Sequence, residues 1–348
     1  MTASGEDSRI VKPLKPSLFH MCLSKVAFLL YNEFGYKILK KVLSKMESQN
    51  FSESEKPILR NSKLSKIVQE KFLHIPTNLR KVVLEGVKRV QREIRRWIVR
   101  HEKKVQYCYY PKFTFFWRSD GTIDRVKTAQ EIVRNENIDI AARFEIACMY
   151  SLVNSVQTLW SALEANGEAD QFKKPCTSRH CNVIVHVWVS WLLQEERSDW
   201  TEFVHQDLSL AGFRHFVKPR FSALFRELKP AQRSKFFEYL KFCDADDLRF
   251  CLYAVSDKEQ EEIMKLFARE VLLAHAKWPL TDAFLEIADK SWEFLNPLSF
   301  IDVLGRLLEF KDCSDVDYKY LVDEFWNRSP AHFKEDSFTF VERITNPI

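Results

Sequence analysis

The sequence predicts an all-α protein, a set of stacked helical hairpins in a solenoid-like or irregular α–α array. Three observations predict it. Apolar residues recur at steps of three and four, the period of one helix face. Glycine is scarce and scattered, at Gly5, Gly35, Gly86, Gly121, Gly167, Gly212 and Gly305, whereas sheet proteins use glycine for hairpin turns and bulges. Helix-start signals recur through the C-terminal third of the chain.

Residues 1–13 are polar and read as a loose end. From Leu18 to Met46 the apolar positions Cys22, Val26, Leu29, Leu30, Phe34, Ile38, Val42 and Met46 mark one or two helices, with Gly35 as the bend. Residues 47–57 form a polar linker rich in Ser and Glu. A short helix around Leu64 to Phe72 and a turn at Ile75-Pro76-Thr77-Asn78 follow. Residues 79–106 predict a basic helix. Its apolar stripe is Val83, Val87, Val90, Ile94 and Trp97, and Lys81, Lys88, Arg92, Arg96, Arg100 and Lys103 cover much of the remainder.

Seven of the eleven residues from Tyr107 to Trp117 are aromatic, and Pro111 forbids a continuous helix there. An extended connection results, either plugging a gap between helical layers or presenting a stacking platform for bases. The Ser119-Asp120-Gly121 turn leads into a helix from Asp124 to about Arg134. Ile140 to Val153 is apolar nearly all round and predicts a helix buried between others.

Residues 164–178 read as a polar loop. The apolar run Val183 to Leu193 falls short of the ~20 residues of a bilayer span. It predicts a buried helix, although its β-branched residues would also suit a strand. Farther on, Pro230 suits a first helical position and Asp244 precedes Ala245-Asp246-Asp247. Ser256 with Glu259 forms a capping box, Asn296-Pro297 and Ser329-Pro330 are cap-plus-proline starts, and Ser314 is followed by Asp317. That cadence gives short helices suited to stacked hairpins, although no strict internal repeat aligns.

A chain of 348 residues buries roughly 75% of its unfolded surface, and 46% hydrophobic with 14% aromatic residues excludes disorder over most of its length. The segment Met1 to Ser8 lacks the basic start and apolar run of a signal peptide. The eight cysteines therefore read as reduced thiols of a cytoplasmic or nuclear protein. Six of them, Cys22, Cys108, Cys148, Cys243, Cys251 and Cys313, sit among apolar neighbours as core residues do. Charge divides unevenly. Residues 1–118 carry 25 Lys and Arg against 10 Asp and Glu, a net +15, whereas residues 119–348 carry 28 against 38, a net −10. Either both are solvated faces or the basic portion, 1–118, meets an acidic partner.

Known catalytic and nucleotide-binding patterns are absent. There is no phosphate-binding glycine loop, no His-Glu-x-x-His, no Gly-x-Ser-x-Gly and no Cys-x-x-Cys. Asp120 to Asp124 mimics the middle of an EF-hand loop. Phe116, Arg118 and Lys127 at its first, third and twelfth positions offer calcium no carboxylate. Cys176, His180, Cys181 and His186 could close on zinc, but Cys181 and His186 are spaced for different helix faces, and loop and core roles are the alternative. No cofactor is expected.

On the basic helix, Val90-Gln91 with Arg95 and Arg100 resembles the IQ motif, departing at Arg96, where the motif favours glycine. That resemblance implies a helix for a calmodulin-like protein, with Trp97 and Ile98 as anchors. The candidate partner-binding residues are Val90, Gln91, Arg92, Arg95, Arg96, Trp97, Arg100, Lys103 and Lys104.

Asp120-Gly121-Thr122-Ile123-Asp124-Arg125-Val126-Lys127-Thr128-Ala129, with Asp139-Ile140, Arg143-Phe144, Ala147-Cys148, Tyr150 and Leu159-Trp160, resembles a large group of uncharacterised helical proteins in spider genomes. The resemblance implies a helical-repeat fold, and with no activity known for the group it transfers no functional residue. The expected function is an intracellular protein–protein interaction scaffold without catalysis. Alternatives are nucleic-acid or anionic-surface binding through the basic helix 79–106, and binding of a calmodulin-like partner.

Overall fold

The computed structural model describes residues 9–47, 63–105, 115–173, 183–196, 198–210, 220–277, 279–311 and 318–335. Among them the chain is helical throughout, with an isolated antiparallel bridge between Trp117 and Ile123 and no strand. Two compact units form: Lys15–Thr128, and Met1–Leu14 together with Ala129–Ile348. The division falls after Thr128, near the charge boundary read from the sequence, and the N-terminal residues belong to the larger unit.

The Lys15–Thr128 unit is built from α1 (Leu18–Phe34), α2 (Tyr36–Glu47), α3 (Lys63–Leu73) and α4 (Thr77–Val105). Ser17 caps α1 by accepting the His20 amide, and Gly35, at φ 70°, closes it by donating to the Tyr31 carbonyl. A positive φ costs glycine nothing, which is why the helix turns here. On α1, Ala27, Leu30 and Phe34 are buried. They face α4, whose stripe of Val83, Val87, Val90, Ile94 and Trp97 is buried as the periodicity predicts. Leu39, Val42 and Leu43 of α2 and Val68 and Phe72 of α3 complete the core. Cys22 departs from its expected core role: it lies on the exposed side of α1.

Helix α5 (Arg125–Arg134) carries the chain from one unit into the other. In the larger unit, the single helix expected over Ile140 to Val153 is two, α6 (Ile140–Met149) and α7 (Val153–Ala165). Ser151 takes φ 50° and the Leu152 amide returns to the Ala147 carbonyl, ending α6 where an unbroken apolar run shows no stop signal. A short helix, α8 (Asp170–Lys173), lies within the predicted polar loop.

The β-branched run Val183–Leu192 is helix α9, and its Trp188 indole donates to the Cys148 carbonyl at 3.0 Å. Trp188 also stacks on Trp200 at the start of α10 (Trp200–Leu210).

After α11 (Phe221–Glu227), α12 (Pro230–Arg233) and a 3-10 helix (Ser234–Phe242) come α13 (Ala245–Ala254), α14 (Asp257–His275), α15 (Thr281–Asp289), α16 (Pro297–Lys311) and α17 (Tyr318–Arg328). The predicted caps are in place. Asp244 accepts the Asp246 and Asp247 amides, Ser256 and Glu259 form the capping box, and the Asn296 side chain accepts the Ser299 amide. Residues 331–335 are helical after Ser329-Pro330; Ser314 lies outside the described residues. Phe300 stacks with Phe325 and Phe333, with ring centroids 5.1 and 5.0 Å apart, to fill the core around α15 to α17.

The first residues are strapped to this unit. Gln260, fully buried, accepts the Val11 amide at 3.0 Å and donates to the Val11 carbonyl at 2.9 Å. Arg9 donates to the Leu252 and Val255 carbonyls, and Lys290 donates to the Arg9 carbonyl. No described helix is long and apolar enough to cross a membrane.

Candidate functional site

The excess of cations belongs to the smaller unit, where 25 Lys and Arg face 10 Asp and Glu over Lys15–Thr128. Helical period decides where they point. With Leu39, Val42 and Leu43 turned inward, α2 presents Lys37, Lys40 and Lys41 to solvent. In the same way α3 buries Val68 and Phe72 and exposes Lys63, Lys66 and Lys71. None of these six lysines has a carboxylate partner among the described residues. Helices α2 and α3 pack on each other, and α2 on α4, so the lysines cover a continuous helical layer.

The predicted partner-binding residues of α4 separate by face. Val90 and Trp97 are core, 2% and 0% exposed. Trp97 stacks on His101 at 4.0 Å, and His101 Nδ1 donates to the Trp97 carbonyl at 2.6 Å. Gln91 and Arg92 are half-buried, and Arg95 and Arg96 are exposed. Arg96 pairs with Glu93 at 2.7 Å and Lys88 with Glu85 at 3.2 Å. Arg95 acts on α1: burial pushes the Tyr31 hydroxyl above its ordinary range and the Arg95 cation pulls it back. The side chains of Arg100, Lys103 and Lys104 lie outside the described residues, as do residues 106–114 of the aromatic connection.

The Asp120 loop is a turn held by its own side chain. Asp120 Oδ1 accepts the Thr122 amide at 2.9 Å and the Thr122 hydroxyl at 2.6 Å, and Gly121 supplies φ 80°. One oxygen of that carboxylate is thus committed to the turn itself, in keeping with a structural role. Of the zinc-like group, His186 is half-buried on α9; Cys176, His180 and Cys181 lie outside the described residues. Among the described residues no group of His, Cys, Asp and Glu is arranged to hold a metal ion.

In the larger unit a polar cluster that sequence reasoning missed ties α11 to α13. Arg220 is buried and donates to Asp244 at 3.1 Å and Asp246 at 3.0 Å. Asp247 accepts the Phe221 and Ser222 amides at 2.8 and 3.0 Å. Burial alone would lower the Arg220 guanidinium, but Asp247, Asp244, Tyr150 and Asp246 outweigh it and hold the cation well above its ordinary value. Burial raises Asp247 in turn, against the pull of Arg220.

Two thiols lie alongside. Burial, the bond to Cys251 and the Asp247 charge push Cys243 well up, and burial takes Cys251 to about 11. Such thiols are poor nucleophiles, so the cluster works as a lock between helices. An open cavity of about 350 Å³ between α16 and α17 is lined by Leu304, Leu308, Val322, Asp323, Trp326 and Asn327. It gathers a single ionisable group.

The chain matches no protein family, no curated protein and no solved structure.

Proposed function

We propose that this protein is a non-enzymatic interaction protein whose basic unit engages a polyanionic partner. The observation that carries the reading is the set of exposed lysines without carboxylate partners among the described residues, Lys37, Lys40, Lys41, Lys63, Lys66 and Lys71, on a unit of net +15. A field of one sign steers an oppositely charged partner and binds it largely through counterion release. The larger unit, read as stacked hairpins, is the scaffold that would recognise other proteins. A calmodulin-like partner is less well supported, because Trp97 would have to leave the core of its unit to serve as the anchor.

Retention of the full chain on heparin, a sulfated polyanion, tests the reading. Affinity should fall linearly with salt on logarithmic axes. The triple variant Lys37→Glu, Lys40→Glu, Lys41→Glu should flatten that slope by about 3, at roughly 0.9 per phosphate-like contact. Retention indifferent to salt would remove the proposal.

A further inference from the structure

Helix α1 is apolar all round: twelve of its 17 residues are apolar. Such a helix belongs between other helices, yet α1 is covered on one side only. Ala27, Leu30 and Phe34 are buried, while Leu18 is 72%, Phe19 56% and Leu29 53% exposed, with Met21 and Val26 also standing out. Leu18, Cys22, Lys25 and Leu29 follow one another at steps of four, three and four, and so share the outer face. Lys25 sits within that stripe and Lys15 just ahead of it, both exposed and without a carboxylate partner among the described residues.

We propose that the outer face of α1 docks on an anionic lipid surface, its leucines and Phe19 entering the headgroup–acyl boundary and its lysines meeting the phosphates. The inference rests on the polyanion reading above and names the polyanion. Charge decides the occupant. A second copy would bring one +15 unit against another, whereas an anionic leaflet attracts every exposed lysine of the unit. Shape agrees: these side chains project from a single helix instead of lining a groove, which suits a fluid layer. The combination of an apolar face with flanking lysines is that of helices lying in the membrane plane. The lysine stems extend along the apolar surface and keep their ammonium groups at headgroup level.

The experiment is co-sedimentation of the full chain with vesicles of pure phosphatidylcholine, and with vesicles of equal parts phosphatidylcholine and phosphatidylserine. The serine-containing vesicles should bind it and the pure ones should not. The double variant Leu18→Gln, Leu29→Gln changes only exposed positions and leaves the charge unaltered, so its circular dichroism and heparin retention should match the parent. Its binding to serine-containing vesicles should fall at least about tenfold, since each leucine loses its apolar burial. Undiminished vesicle binding by that variant overturns the inference, as does equal binding of the parent to both vesicle types. Heparin retention with no vesicle binding overturns the lipid assignment alone. A parent that fails to bind heparin removes the polyanion reading beneath it.

Discussion

Gly86 of α4 lies against Ala27 of α1 so closely that a Cβ at position 86 would sit 3.0 Å from the Ala27 Cβ and 3.4 Å from Leu23 Cδ1. A helical glycine ordinarily costs roughly 0.5–1 kcal/mol relative to alanine; here it lets two backbones approach. Gly86→Ala should therefore destabilise, because overpacking costs ~1–3 kcal/mol and outweighs the gain in helix propensity. Gly305 on α16 is exposed and meets nothing within 4 Å. Gly305→Ala should stabilise by roughly 0.5–1 kcal/mol. Urea unfolding of both variants reads the two signs, and a shared sign would contradict the packing argument.

Arg220 is buried and faces Asp244, Asp246 and Asp247, and the buried Arg249 also pairs with Asp246, at 2.9 Å. Arg220→Met should cost about 3–5 kcal/mol, because it leaves the buried Asp247 and the half-buried Asp244 without a cation, while Asp246 keeps Arg249. The ion pair of Lys235 with Glu202 has the same length, 3.0 Å, but both side chains are more than a third exposed. Lys235→Ala should cost at most ~1 kcal/mol. Comparable losses in thermal or urea unfolding would show that burial does not govern the difference.

His275 is fully buried and donates from Nδ1 to the Val271 carbonyl at 2.8 Å. Burial holds its imidazole at about 4; the bond to Val271 opposes that shift and Arg249 adds to it. In the unfolded chain the ring protonates near ~6.5, so between those values the unfolded state binds a proton that the folded state refuses. Stability should fall as pH drops from about 6.5 towards 4, by about 3 kcal/mol in all. Replacing the ring, as in His275→Leu, should remove that share of the slope. Parallel pH profiles for parent and variant would exclude the assignment.

Thiol chemistry offers an independent check on burial. Cys22 is exposed, Cys148 and Cys251 are buried, and Cys243 is raised beside Asp247. Iodoacetamide at mildly alkaline pH should modify Cys22 in the folded protein and reach Cys148, Cys243 and Cys251 only in denaturant. Peptide mapping that finds Cys251 modified as fast as Cys22 would contradict the packing of α13.

What depends on neighbours along the chain could be read from the sequence. The break at Gly35, the caps at Asp244 and Ser256 and the buried stripe of the basic helix follow from local chemistry, and the structure has them all. The end of α6 could not be read, because Tyr150, Ser151 and Leu152 carry no stop residue and the turn depends on a φ of 50° at Ser151. The run Val183–Leu192 stayed open between helix and strand because burial on all sides erases periodicity. Arg220 and its carboxylates come together only through folding. Periodicity also marked Cys22, Val26 and Leu29 as apolar positions of α1 without showing that this is the uncovered side.

The Gln260 clasp on Val11 joins residues 249 positions apart, which bears on how the polypeptide leaves the ribosome. Val11 emerges well before the Gln260 side-chain amide that holds it. At 5–20 residues per second that interval is roughly 10–50 s. Throughout it Val11 waits without its partner, while the whole of Lys15–Thr128 is delivered in the first half. The larger unit is thus a structure that translation opens early and closes late, around an insert free to fold first.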